Sequence, residues 1–212
     1  MPSDLQVLWS ADEAARADTH LLVALHGRGA DETAFRGLDK LLPAATTVAS
    51  VRAPIGEGGG WAWFANRGIG RPVAESIADT ARQLFAWLDE VAGGFASVSL
   101  FGFSGGTAMA GGLLLAEPQR FAAAVLLAGT LPWDAGLPET ARRLADVPVF
   151  YGRGALDGVI PLDLIERTLV WLRTESGALL TEREYADLAH TISRQELSDA
   201  HDFLAEVRDG LS

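Results

Sequence analysis

The sequence contains no cysteine among its 212 residues. A disulfide framework, a thiolate zinc site and a cysteine nucleophile are therefore all excluded. Any catalytic chemistry must come from serine, threonine, histidine, aspartate, glutamate or lysine side chains. Because the absence of cysteine suits every cellular compartment, it carries no information about location.

Positive charge is also scarce, since 17 Lys and Arg residues against 28 Asp and Glu residues leave a formal net charge of −11. Nucleic-acid binding needs clustered basic side chains, so we expect no nucleic-acid partner. No apolar run approaches the roughly 20 residues that cross a bilayer, which predicts no stable membrane insertion. Residues 1–10 lack a basic region followed by an apolar run, so a cytoplasmic location is the default expectation.

Length and composition are those of an ordinary folded chain. Hydrophobic residues make up 49% and charged residues 21% of the sequence, close to the average for globular proteins. A chain of this length fits one domain with one core, and we predict a single domain over residues 1–212. The sequence does not determine the oligomeric state, for which a homodimer is one candidate.

Five short apolar runs bounded by Gly or Pro are predicted to be strands covered on both faces. They alternate with segments of helical period, which favours βαβ units and a mostly parallel sheet flanked by helices. The predicted strands are residues 21–25, 46–51, 97–101, 123–127 and 147–151. Helices are predicted over residues 77–91, 107–116 and 162–173, and around residues 197–207 near the C-terminus.

The most glycine-rich segment, residues 55–60, is predicted to be a loop. Three large aromatic residues follow it closely: Trp61, Trp63 and Phe64. Aromatic rings after a flexible loop either line a pocket or cap the core. We treat all three as candidate substrate-pocket residues.

A Gly-x-Ser-x-Gly pattern at residues 102–106 carries the main functional signal. It follows a predicted apolar strand and precedes a run of small residues that opens a helix, which is the context of a nucleophile elbow. The pattern also arises by chance in a chain with 23 Gly, but a phosphate-binding loop would need a different spacing and usually a Lys. We therefore predict that Ser104 is the nucleophile of a serine hydrolase.

A serine hydroxyl is a weak nucleophile unless a histidine takes its proton and a carboxylate orients that histidine. His190, near the C-terminus, is the best candidate for the base. The other histidines are better explained as structural or loop residues: His20, His26 and His201.

The orienting carboxylate is expected between the serine and the histidine in the chain. Asp157 lies in a turn with Gly and Pro directly after a predicted strand and meets that condition. The competing carboxylates, each in a turn, loop or helix start, are Asp134, Asp146 and Asp163. Backbone N–H groups should stabilise the oxyanion of the transition state, and we predict those of Gly105 and Arg28.

In chain order, these motifs resemble those of the phospholipase/carboxylesterase family of α/β hydrolases, the group that includes the acyl-protein thioesterases. The similar segments are residues 25–31, 52–54 with 63–64, 102–110, 152–161 and 190–193. The resemblance implies an α/β-hydrolase fold, a triad of Ser104, His190 and Asp157, no metal or other cofactor, and a small-molecule ester or thioester as substrate.

Three positions depart from the usual pattern of that family. Gly105 stands where Gln is common, Arg153 where His is common, and Ala189 where Gly is common. Because the change at Gly105 keeps the backbone N–H, it bears on substrate shape more than on chemistry. The other two changes alter the packing or polarity beside the triad.

The stretch after the predicted strand at residues 123–127 is too short for a separate cap domain. We expect no large lid and an open, shallow cleft that suits short-acyl esters. Two alternatives remain, because a fold does not determine a function. One is a non-catalytic binding protein on a hydrolase fold, and the other is a peptidase or acyltransferase that uses the same triad.

Overall fold

The computed structural model describes residues 5–210, which form a mixed sheet with helices on both of its faces. Within this range the strands are β1 (Val7–Trp9), β2 (His20–Leu25), β3 (Thr46–Val51), β4 (Ile55–Glu57), β5 (Gly60–Ala62), β6 (Ser97–Phe103), β7 (Ala123–Leu127), β8 (Pro148–Gly154) and β9 (Leu179–Tyr185). The α-helices described are α1 (Ala74–Val91), α2 (Gly105–Ala116), α3 (Leu162–Thr174) and α4 (Arg194–Asp209).

The main sheet has the strand order β1-β3-β2-β6-β7-β8-β9, while β4 and β5 form a separate antiparallel hairpin. Every neighbouring pair in the main sheet is parallel except β1 and β3. Parallel strands bring their carboxyl ends to one edge, where α/β proteins build their binding sites. The loops after β2, β6 and β8 therefore leave from the same edge, and they carry Arg28, Ser104 and Asp157.

Two hydrophobic cores lie on opposite faces of the sheet because successive side chains of a strand point to opposite sides. On β2, Leu21, Val23 and Leu25 pack in the core with α1, α2 and α3. Leu22 and Ala24 pack on the other face, against α4. The nearly continuous apolar runs seen in the sequence follow from this burial on both faces.

The α/β-hydrolase architecture is confirmed, and each of the five predicted strands and four predicted helices has a counterpart in the structure. The prediction of a loop over residues 55–60 was wrong. These residues form β4 and the first residue of β5, joined by Gly58 and Gly59, whose φ angles of 60° and 88° suit a tight turn. A Gly-rich composition marks the turn but not the strands beside it.

The strands β1 and β9 were not predicted. They lie at the two edges of the sheet, where one side of a strand is not paired. β9 has the sequence Leu-Leu-Thr-Glu-Arg-Glu-Tyr, and none of its residues is fully buried. The sequence of β9 therefore lacks the apolar run by which buried strands are recognised.

The connection between β7 and β8 contains no helix or strand across residues 128–147, all of which are described. This connection agrees with the expectation that no large lid covers the site. None of the helices within residues 5–210 is long and apolar enough to cross a membrane.

Candidate active site

Ser104 lies at the turn between β6 and α2, with φ of 56° and ψ of −117°. Residues other than Gly rarely adopt this conformation. The turn also depends on Gly102 and Gly106, which have no side chain. A Cβ on Gly102 would lie 2.6 Å from the carbonyl oxygen of Gly106, and a Cβ on Gly106 would lie 1.9 Å from that of Leu25. Two glycines of the motif are thus required by the close approach of α2 to the sheet.

Hydrogen bonds tie this elbow to the neighbouring strand β7. The backbone N–H of Ser104 donates to the carbonyl oxygen of Leu127 over 3.0 Å. The buried hydroxyl of Thr107 lies 2.6 Å from the same oxygen and 2.9 Å from the carbonyl oxygen of Gly102. The turn is therefore fixed by the residues of its own motif and by the adjacent strand.

His190 lies between Ser104 and Asp157 and contacts both of them. Its Nε2 is 2.9 Å from Ser104 Oγ, and its Nδ1 is 2.8 Å from Asp157 Oδ2. The histidine side chain is 18% exposed and that of Asp157 is 1% exposed. The imidazole is thus partly exposed, whereas its partner carboxylate is shielded from water.

The carboxylate of Asp157 is held in its ionised form. Burial alone would raise its pKa, but hydrogen bonds from His190 and from the backbone N–H groups of Val159 and Ile160 outweigh burial, so the pKa is lowered. An ionised carboxylate accepts the Nδ1 proton of His190, which leaves Nε2 free to accept a proton from the serine.

The loop after β2 brings Arg28 beside the first residue of α2. Its backbone nitrogen lies 3.4 Å from the position that a Cβ would take on Gly105. Among residues 5–210, neither the Arg28 N–H nor the Gly105 N–H has a protein acceptor. These two unused donors, one in the loop after β2 and one at the N-terminus of α2, lie next to Ser104 and can bind a negatively charged oxygen. The missing side chain at Gly105 leaves this place open.

A cleft of about 330 Å³ opens beside Ser104 and His190. The apolar part of its lining consists of Phe64, Ile69, Pro72, Ala108, Leu131, Pro132, Val159 and Ile160. The cleft thus has a polar end, where a carbonyl carbon can approach Ser104. The rest is mostly apolar, with Asn66 and Thr130 as polar lining residues, and can hold an alkyl chain.

A model of the phospholipase/carboxylesterase family matches residues 10–208. The chain belongs to this family. As a family member it is a carboxylic ester hydrolase. No curated protein matches the chain in sequence.

Solved structures share the fold of this esterase. A carboxylesterase from Bacillus cereus is 23% identical, with a TM-score of 0.82 over 97% of this chain and 95% of that one. A carboxylesterase from Mesorhizobium loti is 22% identical, with a TM-score of 0.79 over 95% and 93%. SOBER1 from Arabidopsis thaliana is 20% identical, with a TM-score of 0.76 over 91% and 100%.

Of the three aromatic candidates for the pocket of the esterase, Phe64 lines the cleft beside Ser104. Trp63 is 1% exposed and packs in the core, where its Nε1–H donates to the carbonyl oxygen of His26 over 2.7 Å. Trp61 packs against Arg52, with the guanidinium 4.8 Å from the ring centroid. The structure does not bring these two tryptophans to the cleft.

The side chain of His26 in the esterase has a role that the sequence did not reveal. It is fully buried, and its Nε2 accepts the N–H of Ala53 over 3.1 Å. Its Nδ1 must then carry the proton that is shared with the carbonyl oxygen of Gly27, 2.8 Å away. Burial lowers the pKa of His26, which favours this neutral form. The imidazole thus joins two loops at the carboxyl edge of the sheet.

Proposed function

We propose that this esterase hydrolyses short-acyl carboxylic esters or thioesters through an acyl-enzyme formed on Ser104. The observation that carries the proposal is the continuous set of hydrogen bonds from Ser104 through His190 to Asp157 at the polar end of the cleft. A nucleophile, a base and an orienting carboxylate within hydrogen-bond distance of one another are what acyl transfer requires.

In the first half of the reaction, Ser104 Oγ attacks the carbonyl carbon of the substrate while His190 Nε2 takes the hydroxyl proton. The carbonyl oxygen becomes negatively charged, and the backbone N–H groups of Arg28 and Gly105 donate to it. When the carbon–oxygen or carbon–sulfur bond to the leaving group breaks, His190 returns the proton to the departing alcohol or thiol. Asp157 holds the imidazole in the correct tautomer throughout.

In the second half, a water molecule takes the place of the leaving group. His190 removes a proton from the water, whose oxygen attacks the acyl carbon, and the same backbone donors bind the new oxyanion. Breaking the bond to Ser104 Oγ releases the carboxylic acid, and the proton held by His190 returns to the serine. The enzyme is regenerated, with one water consumed for each ester.

The size of the cleft supports short acyl groups. A volume of about 330 Å³ lies near the lower end of the range of ligand sites. No helix or strand of the described chain between β7 and β8 covers it. The small side chain of Ala108 and the absence of one at Gly105 leave room for the acyl carbonyl near Ser104.

Steady-state hydrolysis of p-nitrophenyl esters of increasing acyl length tests the proposal. We expect kcat/KM to be highest for acetate or butyrate and to fall for longer chains. Ser104→Ala and His190→Ala should each lower kcat by about 10⁴-fold or more, because triad members act as one unit. Ser99→Ala, a change on β6 outside the cleft lining, is the matched control and should retain wild-type rates.

Other outcomes would contradict parts of the proposal. A wild-type protein that is inert to every ester and thioester would favour a non-catalytic binding protein. Faster transfer of the acyl group to amines than to water would favour an acyltransferase. Activity confined to lipid aggregates, with negligible turnover of dissolved esters, would overturn the assignment of short-acyl substrates.

A further inference from the structure

The hairpin β4–β5 lies against the loop after β2 that contains Arg28. The N–H of Gly29 donates to the carbonyl oxygen of Trp61 over 2.9 Å, and the N–H of Trp61 donates to that of Ala30 over 3.1 Å. This reciprocal pairing joins the loop to β5 much as two strands are joined. The loop therefore has a partner on each side of Arg28, β5 of the hairpin on one and α2 on the other.

The backbones of the hairpin and the loop are in close contact at Gly60 and Gly29. A Cβ on Gly60 would lie 1.9 Å from the carbonyl oxygen of Gly29 and 2.8 Å from the Cα of Gly29. Any side chain at position 60 must therefore push the loop away from the hairpin. Gly56, on the other strand of the hairpin, has only the Trp61 ring within reach, at 3.9 Å.

The side chain of Arg28 is held by the hairpin and by the segment that follows it. Its guanidinium forms an ion pair with Glu57 of β4 and donates to the carbonyl oxygen of Phe64 over 2.6 Å. Glu57 does not line the cleft. The ion pair thus fixes the residue whose backbone N–H faces the site without reaching the substrate itself.

We propose that the hairpin β4–β5 is a brace that holds the backbone N–H of Arg28 where the oxyanion forms, with Glu57 and Gly60 as positioning residues. This inference rests on the proposed function of Ser104 and of the two backbone donors. Donors stabilise an oxyanion only when they lie about 2.7 to 3.1 Å from it, and the loss of one lowers kcat by roughly 10² to 10³-fold. Displacement of the loop should therefore lower kcat more than it raises KM.

The first test compares Gly60→Ala with Gly56→Ala, two additions of one methyl group on the same hairpin. We expect kcat for p-nitrophenyl acetate to fall by about 10²-fold in Gly60→Ala, with KM within about threefold of wild type. Gly56→Ala should retain the wild-type kcat. Equal kcat values for wild type and Gly60→Ala would contradict the proposal that the hairpin holds the Arg28 N–H in place.

The second test uses variants at exposed or partly exposed positions, which are expected to fold. Glu57→Gln should lower kcat by about three- to tenfold, while Asp79→Asn, which removes a surface ion pair on α1, should not change it. Arg28→Met should lower kcat at least as much, because it also removes the bond to the carbonyl oxygen of Phe64. The double variant should be no worse than Arg28→Met, because that variant has already lost the ion pair with Glu57. Additive losses in the double variant would contradict a shared role.

Failure of the brace can be distinguished from failure of the proposed function. Suppose that Ser104→Ala is inactive while Gly60→Ala and Glu57→Gln both retain the wild-type kcat. Ser104 is then supported as the nucleophile, and the proposed role of the hairpin is wrong. If Ser104→Ala keeps wild-type activity, the proposed function itself is wrong. A rise in KM alone in Gly60→Ala or Glu57→Gln would assign the hairpin to substrate binding instead.

Discussion

The nucleophile elbow and the loop after β2 that contains Arg28, here called the oxyanion loop, lie side by side at the carboxyl edge of the sheet. They are held in different ways. The elbow is fixed by contacts within residues 102–107 and with the ends of β2 and β7, all of them buried or nearly so. The loop around Arg28 depends on residues about thirty positions away, including Glu57, whose side chain is 48% exposed.

This difference explains why the sequence shows how the elbow is held but does not show how the loop around Arg28 is held. An elbow requires glycine at two positions set by its own geometry, so a local pattern records it. The loop requires only that a hairpin elsewhere in the chain fits against it. Its partners, Gly60 and Glu57, belong to no pattern that includes Arg28.

The largest expected effect tests the elbow. Gly106→Ala places a Cβ 1.9 Å from the carbonyl oxygen of Leu25, so we expect a loss of about 3 kcal/mol or more in the free energy of unfolding and loss of esterase activity. Urea unfolding and p-nitrophenyl acetate hydrolysis measure the two effects.

The matched control for the elbow is Gly112→Ala in the same helix. The nearest atoms to its added Cβ are 3.5 Å or more away, and alanine favours a helix over glycine by up to about 1 kcal/mol. The control should be as stable as wild type or more stable. Wild-type stability and activity in Gly106→Ala would show that the elbow is not as tightly packed as described.

A smaller effect tests the buried contacts behind the oxyanion loop. Trp63→Phe removes the indole N–H that donates to the carbonyl oxygen of His26 and should lower the free energy of unfolding by roughly 2 kcal/mol. The ratio of acetate to butyrate hydrolysis should not change, because Trp63 packs in the core. Trp61→Phe, at a partly exposed ring, should lose less. A changed acyl preference in Trp63→Phe would place this residue in the pocket after all.

The smallest effect concerns the contact between α4 and β8, where a carboxyl group is buried without hydrogen-bond partners, unlike the groups that hold the elbow and the loop. Glu196 of α4 is fully buried against Gly152 of β8, and its carboxyl oxygens have no hydrogen-bond partner among the described residues. Burial raises its pKa to about 7 from an ordinary value of 4.5. The folded state therefore holds a proton that the unfolded state has released, and stability should fall as the pH rises from about 4.5 through 7.

Glu196→Gln removes that titration. We expect its melting temperature relative to wild type to be higher at pH 8 than at pH 5 by roughly 3 to 6 °C. Glu206→Gln, at an exposed position on the same helix, should show no such dependence. Thermal melts at the two pH values measure both variants, and a pH-independent difference for Glu196→Gln would contradict the assigned titration.

The parts of the molecule that could be predicted from the sequence are those whose requirements are local. Buried strands show continuous apolar runs, and the elbow shows its glycines. His190 and Asp157 belong to no local pattern with Ser104, but they could be chosen because the expected chain order of serine, carboxylate and histidine restricts the candidates. Other features depend on contacts between distant segments, which no short pattern contains. These are the hairpin beside Arg28, the edge strand β9 and the burial of Trp63 in the core. The single domain, the cytoplasmic location, the absence of a nucleic-acid partner and the homodimer stay predictions.

Ser104 should form the covalent intermediate of the reaction. The most direct measurement is intact-protein mass spectrometry after reaction with a fluorophosphonate, followed by fragment spectra of the labelled peptide. The absence of cysteine removes thiols as competing sites. We predict one adduct per chain, located on Ser104, formed slowly or not at all in His190→Ala and absent in Ser104→Ala. An adduct on another residue, or no adduct on an active protein, would contradict the account.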